Sequence, residues 1–300
     1  METIGVDLGN CNIKTSKGII VPSLITRGEN YLISTGYQLE FNNEILIIGE
    51  GDYDTNLDKI SKENLLPMLC LALGLSTKEE FIRIVLGLPI NQYRSKKDKM
   101  IEVIEDNKIL NFKLNGVERT IYIEDAAIFP EGVATYYSLD VDKRRELIEK
   151  DLIVLDIGGR TTDIALLKAG KKRSVAKSTS LDVGMINIYN DMINEINSLY
   201  TLGLNIEDAE GIIKNGLEVD GEKKDTEFIK DIIRNNIERV FKELNISYPV
   251  RTSPILVTGG GGRSFFKSIK RRYPSARMIE DNLFSNANGY KRVGEKLWRD

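Results

Sequence analysis

Short apolar runs that break abruptly at small or polar residues punctuate this chain, and one such arrangement occurs twice. Ile4 to Leu8 is an apolar run ending in Asp7-Leu8-Gly9-Asn10, which predicts a buried strand entering a tight turn. Asn12 to Ser16 and Lys17 to Pro22 predict a hairpin bent at Gly18. Glu44 to Gly49 reads as a further strand. The stretch from Ser61, with Leu65, Leu66, Leu69 and Leu71-Ala72-Leu73, predicts an apolar helix that stops at Gly74. Ile82 to Pro89, apolar apart from Arg83, reads as a central strand. A polar helix over Asn91 to Glu105 follows, then strands within Ile109 to Ile123 around Asn115-Gly116.

A second start comes at Leu152, where Ile153-Val154-Leu155-Asp156-Ile157-Gly158-Gly159 repeats the strand-then-turn pattern. Thr162 to Leu167 with Ala169-Gly170 repeats the hairpin. Helical periodicity covers Met185 to Tyr200, Ile206 to Lys214 and Asp225 to Leu244. The strand Pro254 to Thr258 runs into Gly259 to Gly262, with a helix expected from Ser264 and a last one over Ala287 to Trp298. The order is mixed α/β, without a Pro-, Gly- or Ser-rich linker or a low-complexity tract.

Composition narrows the chemistry. The chain has 300 residues, enough for roughly two domains, and its 41% hydrophobic and 29% charged content is ordinary for a globular protein. No run approaches the roughly 20 apolar residues of a membrane span, and Met1 to Asp7 lacks a signal pattern, so a cytoplasmic protein is expected. Cys11 and Cys70 match no metal or redox spacing, in keeping with a reducing compartment. Histidine is absent, which removes Ser-His-Asp and Cys-His nucleophile systems and His-based metal sites. A net charge of −3 argues against direct nucleic-acid binding. The clusters Lys171-Lys172-Arg173 and Lys270-Arg271-Arg272 read as solvated turn and helix-end charges.

The repeated unit suits a polyphosphate. In Asp7-Leu-Gly-Asn-Cys-Asn-Ile-Lys14 and in Asp156-Ile-Gly-Gly-Arg-Thr-Thr-Asp163, an Asp closes a strand and Gly follows two positions later. A polar residue re-enters the next strand seven positions after the Asp. Backbone N–H groups of two such turns, one at Gly9, Asn10, Cys11 and Asn12 and one at Gly158, Gly159, Arg160 and Thr161, can grip phosphate oxygens between them. Lys14 adds a positive charge. Asp7, Asp156 and Asp163 make sense beside phosphate only with a hydrated Mg²⁺ among them. Gly259, Gly260 and Gly261 let backbone pass close to a flat group at a strand end, where ligands lie in open α/β sheets. Ser264 breaks the dinucleotide fingerprint, and no Gly-Lys-Ser/Thr follows a glycine run. Taken singly, each Asp-x-Gly reads as a turn, Lys14 as a surface lysine, Glu131 as a helix-start carboxylate and Cys11 as a small filler. Their repetition in chain order is what points to a site.

In these segments the chain resembles the actin, Hsp70 and sugar-kinase superfamily, and within it the plasmid-segregation actins of the ParM/StbA type. The resemblance runs through Ile4 to Lys14, Phe129 to Thr135, Val154 to Ile164, Val257 to Gly262 and Ala287 to Gly294, with Leu181 to Met185 like the turn that opens the following helix. It implies an actin-like (ribonuclease H-like) α/β fold of two related domains around a nucleotide cleft. Residues 1–150 would form the first, with helix 285–300 packing back on it, and residues 151–284 the second. It further implies an ATP (or GTP) hydrolase with Mg²⁺ that forms filaments with itself and moves plasmid DNA through a ParR-type adaptor, without membrane or direct nucleic-acid contact. By that resemblance Glu131 and Asp156 are catalytic, Lys14 touches the β- and γ-phosphates, and Gly259 to Gly261 line the adenosine site. Asp7, Asp156 and Asp163 hold the metal through water. Asn10 stands where relatives often carry serine, and Arg160 where a small residue is common. Two other readings of the same fold are a small-molecule kinase, for which no extra Asp base is assignable, and a non-hydrolysing scaffold.

Overall fold

The computed structural model describes residues 1–28, 35–53, 58–61 and 63–299. The chain opens with β1 (Glu2–Leu8), β2 (Asn12–Thr15), β3 (Ile20–Pro22), β4 (Leu24–Arg27), β5 (Tyr37–Phe41), β6 (Glu44–Ile48) and β7 (Asp52–Tyr53). Then come α1 (Leu65–Ser76), β8 (Phe81–Leu88), α2 (Ile90–Asp106), β9 (Ile109–Leu114), β10 (Val117–Pro130), α3 (Val133–Ser138) and α4 (Val141–Leu147). The second start gives β11 (Leu152–Ile157), β12 (Thr162–Leu167), β13 (Val175–Leu181), α5 (Met185–Tyr200), a 3₁₀ turn at Ile206–Asp208 and α6 (Ala209–Asn215). The hairpin β14 (Leu217–Val219) and β15 (Glu222–Lys224) leads to α7 (Phe228–Ser247), β16 (Ile255–Thr258), α8 (Gly260–Arg272), β17 (Arg277–Met278) and α9 (Ser285–Leu297).

Two sheets share one plan. The first contains the order β3-β2-β1-β8-β10, continued by β9-β5-β6-β4-β7, and the second is β13-β12-β11-β16-β17. In each plan three antiparallel neighbours adjoin two further strands that run parallel to the third. Parallel strands covered on both faces need apolar side chains on both, which is why β1, β8, β11 and β16 are mostly apolar. Ile4, Val6, Ile82 and Ile84 lie in one core, and Ile153, Leu155, Ile255 and Val257 in another. Strand order reverses beside β1 and β11, so the carboxyl ends of the parallel strands open onto the crevice between the two sheets.

Helix α9 returns to the first sheet. A Cβ on Gly5 would lie 2.0 Å from Ala287 O, and one on Gly289 would lie 2.0 Å from Ala134 O. These glycines let the α9 backbone seat directly on β1 and α3, with Tyr290 wholly buried against Gly87.

Several local expectations are corrected. Gly74 does not stop α1, which continues to Ser76; the glycine is needed because a Cβ there would press on the Phe112 ring at 2.9 Å. Helix α8 begins at Gly260 and not at Ser264, since Gly261 packs against the Ile157 side chain where a Cβ would come within 2.5 Å. Strand β10 extends past Ile123 to Pro130, and from Tyr122 onward it is held by parallel pairing with β8. Arg173 is not solvated: it is buried, stacks 4.7 Å from the Tyr136 ring and donates to the carbonyl oxygens of Leu147, Lys150 and Lys168. The Leu147 and Lys150 carbonyls lie where α4 ends and the Lys168 carbonyl follows β12, and one guanidinium fork satisfies all three.

Candidate functional site

The turns after β1 and β11 are built alike. Gly9 N–H donates to Asn12 O at 3.1 Å, and Gly158 N–H donates to Thr161 O at 2.9 Å. The seven-residue spacing becomes a direct cross-strand pair in both hairpins, Asp7 opposite Lys14 and Asp156 opposite Asp163. In the first, Lys14 Nζ lies 3.1 Å from Asp7 Oδ2; in the second, two carboxylates share the position, an arrangement that costs energy unless a cation offsets it. The turns also touch: a Cβ on Gly159 would lie 1.7 Å from Cys11 Sγ. Asp7 and Asp156 therefore face the same cleft.

The remaining walls come from strand ends and helix starts. Gly259 adopts φ +81° where β16 ends, and a Cβ there would meet Ile157 O at 2.3 Å and Asp156 Oδ1 at 2.5 Å, so only glycine fits. Helix α5 docks on the second turn, with Met185 N–H donating to Gly158 O at 3.2 Å and Ile186 N–H to Gly159 O at 2.7 Å. At the start of α9, Asn286 donates to Asp156 Oδ2 at 2.9 Å and accepts from Gly132 N–H at 3.0 Å. One amide thus ties the second-sheet carboxylate to the turn after Glu131. Glu131, at the end of β10, forms an ion pair with Lys59.

Asp7, Gly9, Asn10, Cys11, Asn12, Lys14, Glu131, Asp156, Gly158, Gly159, Arg160, Thr161, Asp163, Gly259, Gly260 and Gly261 all line one cavity of about 770 Å³. Burial pushes the Asp156 carboxyl up to about 6, against the pull of Lys14 and Asn286. Burial, reinforced by the charge of Glu131, pushes Asp163 up to about 7. Glu131 is raised by burial despite the opposing Lys59 ammonium. Lys14 is raised: burial works against its charge, but Asp7 and Asp156 outweigh it. Burial lifts the Cys11 thiol to about 11, so it is a packed thiol and not a ready nucleophile.

These groups fit a hydrated divalent cation. Asp163 Oδ1 is buried with no hydrogen-bond partner and faces the Asp156 carboxylate across the strand pair, while Lys14, which bears on Asp156, is itself paired with Asp7. Among the described residues no three histidine, cysteine, aspartate or glutamate side chains are placed to hold a metal directly.

Residues 5–133 match the family of actin-like proteins, N-terminal domain, and residues 154–271 match the C-terminal domain of the archaeal MreB-like actin homologues. The chain is an actin-like protein. No curated protein matches its sequence. Among solved structures, a non-polymerisable quadruple mutant of pCBH ParM is 24% identical over 98% of this chain and 99% of its own, with a TM-score of 0.83. A 15-stranded ParM filament from Clostridium botulinum is 23% identical over 99% and 100%, again at 0.83. Ta0583, an archaeal actin homologue in complex with ADP, is 21% identical over 99% and 100%, at 0.82. At these identities the likeness establishes the fold.

Within the actin-like frame, sequence reasoning missed Asn286 and Lys59, which contact Asp156 and Glu131 from elements distant in the chain. It also missed the far wall of the cavity, where Tyr189 OH donates to Glu210 Oε1 at 3.0 Å and Arg263 and Leu283 close the side beyond Gly260. Asn286 had a faint signal, since it immediately precedes the segment Ala287 to Gly294 that carried the resemblance. A lone lysine at position 59 had none. Arg160 lines the cavity with its charge bearing on Cys11 and Tyr53, across the cleft from its own sheet.

Proposed function

We propose that this actin-like chain binds and hydrolyses ATP, or GTP in its place, with Mg²⁺, and assembles with itself into ParM-type filaments in the cytoplasm. Those filaments would segregate plasmid DNA through a separate ParR-type DNA-binding adaptor. The reading rests on one observation: two like-built turns from two like-built sheets touch, and their charged residues face a common cavity. At about 770 Å³ that cavity is within the range of small-molecule sites. The ADP bound by the archaeal homologue and the filament formed by the clostridial ParM support the same reading. No described helix is long and apolar enough to cross a membrane.

In this proposal the backbone N–H groups of Asn10, Cys11, Gly159 and Arg160 receive phosphate oxygens, and Lys14 places its ammonium beside the terminal phosphates. Gly259 to Gly261 leave a flat surface for the base. Glu131 orients the attacking water and accepts its proton. Asp156, held by Asn286, and Asp7 and Asp163 are the residues that would hold the hydrated cation through its waters. Mg²⁺, when bound, supplies the positive charge that offsets charge developing on the transferred phosphoryl group. Positioning and electrostatics carry most of such a reaction.

Electron microscopy with ATP–Mg²⁺, GTP–Mg²⁺ and no nucleotide, paired with phosphate release, tests both parts. Filaments are expected only with nucleotide, and Asp156→Ala is expected to remain folded while releasing phosphate about 100-fold more slowly. Absence of filaments in every condition removes the assembly reading. Equal, negligible release from wild type and variant removes hydrolysis.

A further inference from the structure

Lys59 lies between β7 and α1, far in sequence from the residues of the two turns, yet its side chain is only 3% exposed. Its ammonium donates to Glu131 Oε1 and, at 3.4 Å, to Gly87 O. A buried ammonium persists only when paired and hydrogen-bonded, so this contact is a condition of the local fold and not a surface accident. The carrier segment is tethered as well: Lys96 of α2 holds Asp58 Oδ2 at 2.8 Å.

Glu131 shows the complementary geometry. Its backbone N–H donates to Leu88 O at 2.8 Å, which fixes the residue at the end of β8. Its side chain is 15% exposed and lines the cavity, whereas Lys59 does not line it. Oε1 is occupied by Lys59, and no described residue donates to Oε2. The lysine therefore stands behind the carboxylate, on the side away from the ligand space.

We propose that Lys59 is a positioning residue for hydrolysis, clamping one oxygen of Glu131 so that the other is presented to the attacking water. This rests on the role given to Glu131 above. Lys59 differs in kind from Lys14, which lines the cavity and, in the proposed function, faces the phosphates. An ammonium clamp removes the rotational freedom of a carboxylate that would otherwise turn between several partners. Misplacement of a catalytic group by about 1 Å is enough to cost on the order of 10²-fold in rate.

Steady-state phosphate release and nucleotide binding are measured for wild type, Lys59→Met, Lys59→Arg, Glu131→Gln and the Lys59→Met/Glu131→Gln double variant. Lys59→Met is expected to lower kcat by about 10- to 100-fold with KM moving less than about threefold. Lys59→Arg, which keeps a charged donor, is expected to recover at least about a third of wild-type kcat. The double variant should be no slower than Glu131→Gln within about twofold, because a residue that acts only through Glu131 has nothing left to act on. If Lys59→Met does not fold, Lys59→Gln takes its place with the same expected loss, its amide being too short to reach.

A Lys59→Met enzyme as fast as wild type or faster overturns the clamp, as does a double variant whose losses multiply, a fall in kcat matched by lost nucleotide binding, or an arginine variant as slow as the methionine one. A wild type that releases no phosphate removes the hydrolase reading and the clamp with it. An active wild type beside an unchanged Lys59→Met removes the clamp alone.

Discussion

Asp163 sits in an unusual position for a carboxylate: buried, opposite Asp156 in the strand register, and with one oxygen unpartnered. Its folded-state value near 7, against an ordinary 3.8, means that the native protein keeps a proton which the unfolded chain releases at lower pH. Asp156, near 6, behaves alike. The native state then binds more protons than the unfolded one between about pH 4 and pH 7, so stability falls as pH rises through that window, by up to about 1.4 kcal/mol per pH unit for each carboxyl. Thermal denaturation without nucleotide or divalent cation should show the midpoint dropping from pH 5 to pH 7.5. Asp163→Asn should flatten that slope and exceed wild-type stability above pH 7; an unchanged slope would remove Asp163 from the account. At this scale sequence was informative where spacing alone sets geometry. Seven positions between an Asp and its polar partner is the separation that a tight hairpin turns into a cross-strand pair. It was silent about Lys59 and Asn286, whose positions depend on how distant elements come together.

The hairpin is the unit in which the site is made, and the two hairpins meet at Gly159 and Cys11. Gly159→Ala forces a methyl group into the Cys11 thiol and parts the turns. Nucleotide affinity, followed by fluorescence titration, is expected to fall by at least about tenfold, in line with the roughly 1–3 kcal/mol typical of overpacking. Cys11→Gly in the same chain clears both clashing atoms and should restore part of that loss; no recovery would mean that the turns do not meet as described. Elements were legible where a strand is mostly apolar, as in β1, β8, β11 and β16. They were illegible where pairing and close packing outweigh local composition. The strands β4 and β5 and the hairpin β14–β15 carry few buried side chains, and in α8 Ile157 leaves no room for a Cβ at Gly261 while Val257 leaves a tight fit at Gly262.

Across the whole molecule, the doubled sheet plan explains why the internal repeat was the most informative feature of the sequence. Its two halves place equivalent turns at equivalent strand ends. What joins the last helix to the first strand is less visible from sequence, because the contact is made through glycines. Gly289→Ala would bring a methyl group within 2.0 Å of Ala134 O and is expected to cost about 1–3 kcal/mol in chemical denaturation. Replacement of exposed Glu295 by Ala on the same helix should change little, and equal effects of the two would argue against the close seat.

That seat also bears on how the protein is made. While a ribosome is still extending the chain, Val85 and Ala134 have no Tyr290 to cover them, and they stay wet until α9 emerges. The strands of the second sheet, spanning residues 152–278, are all available before that moment. The earlier-synthesised half is therefore the later one to be finished, and a nascent chain stalled short of residue 285 would hold its first sheet partly bare to chaperones and proteases.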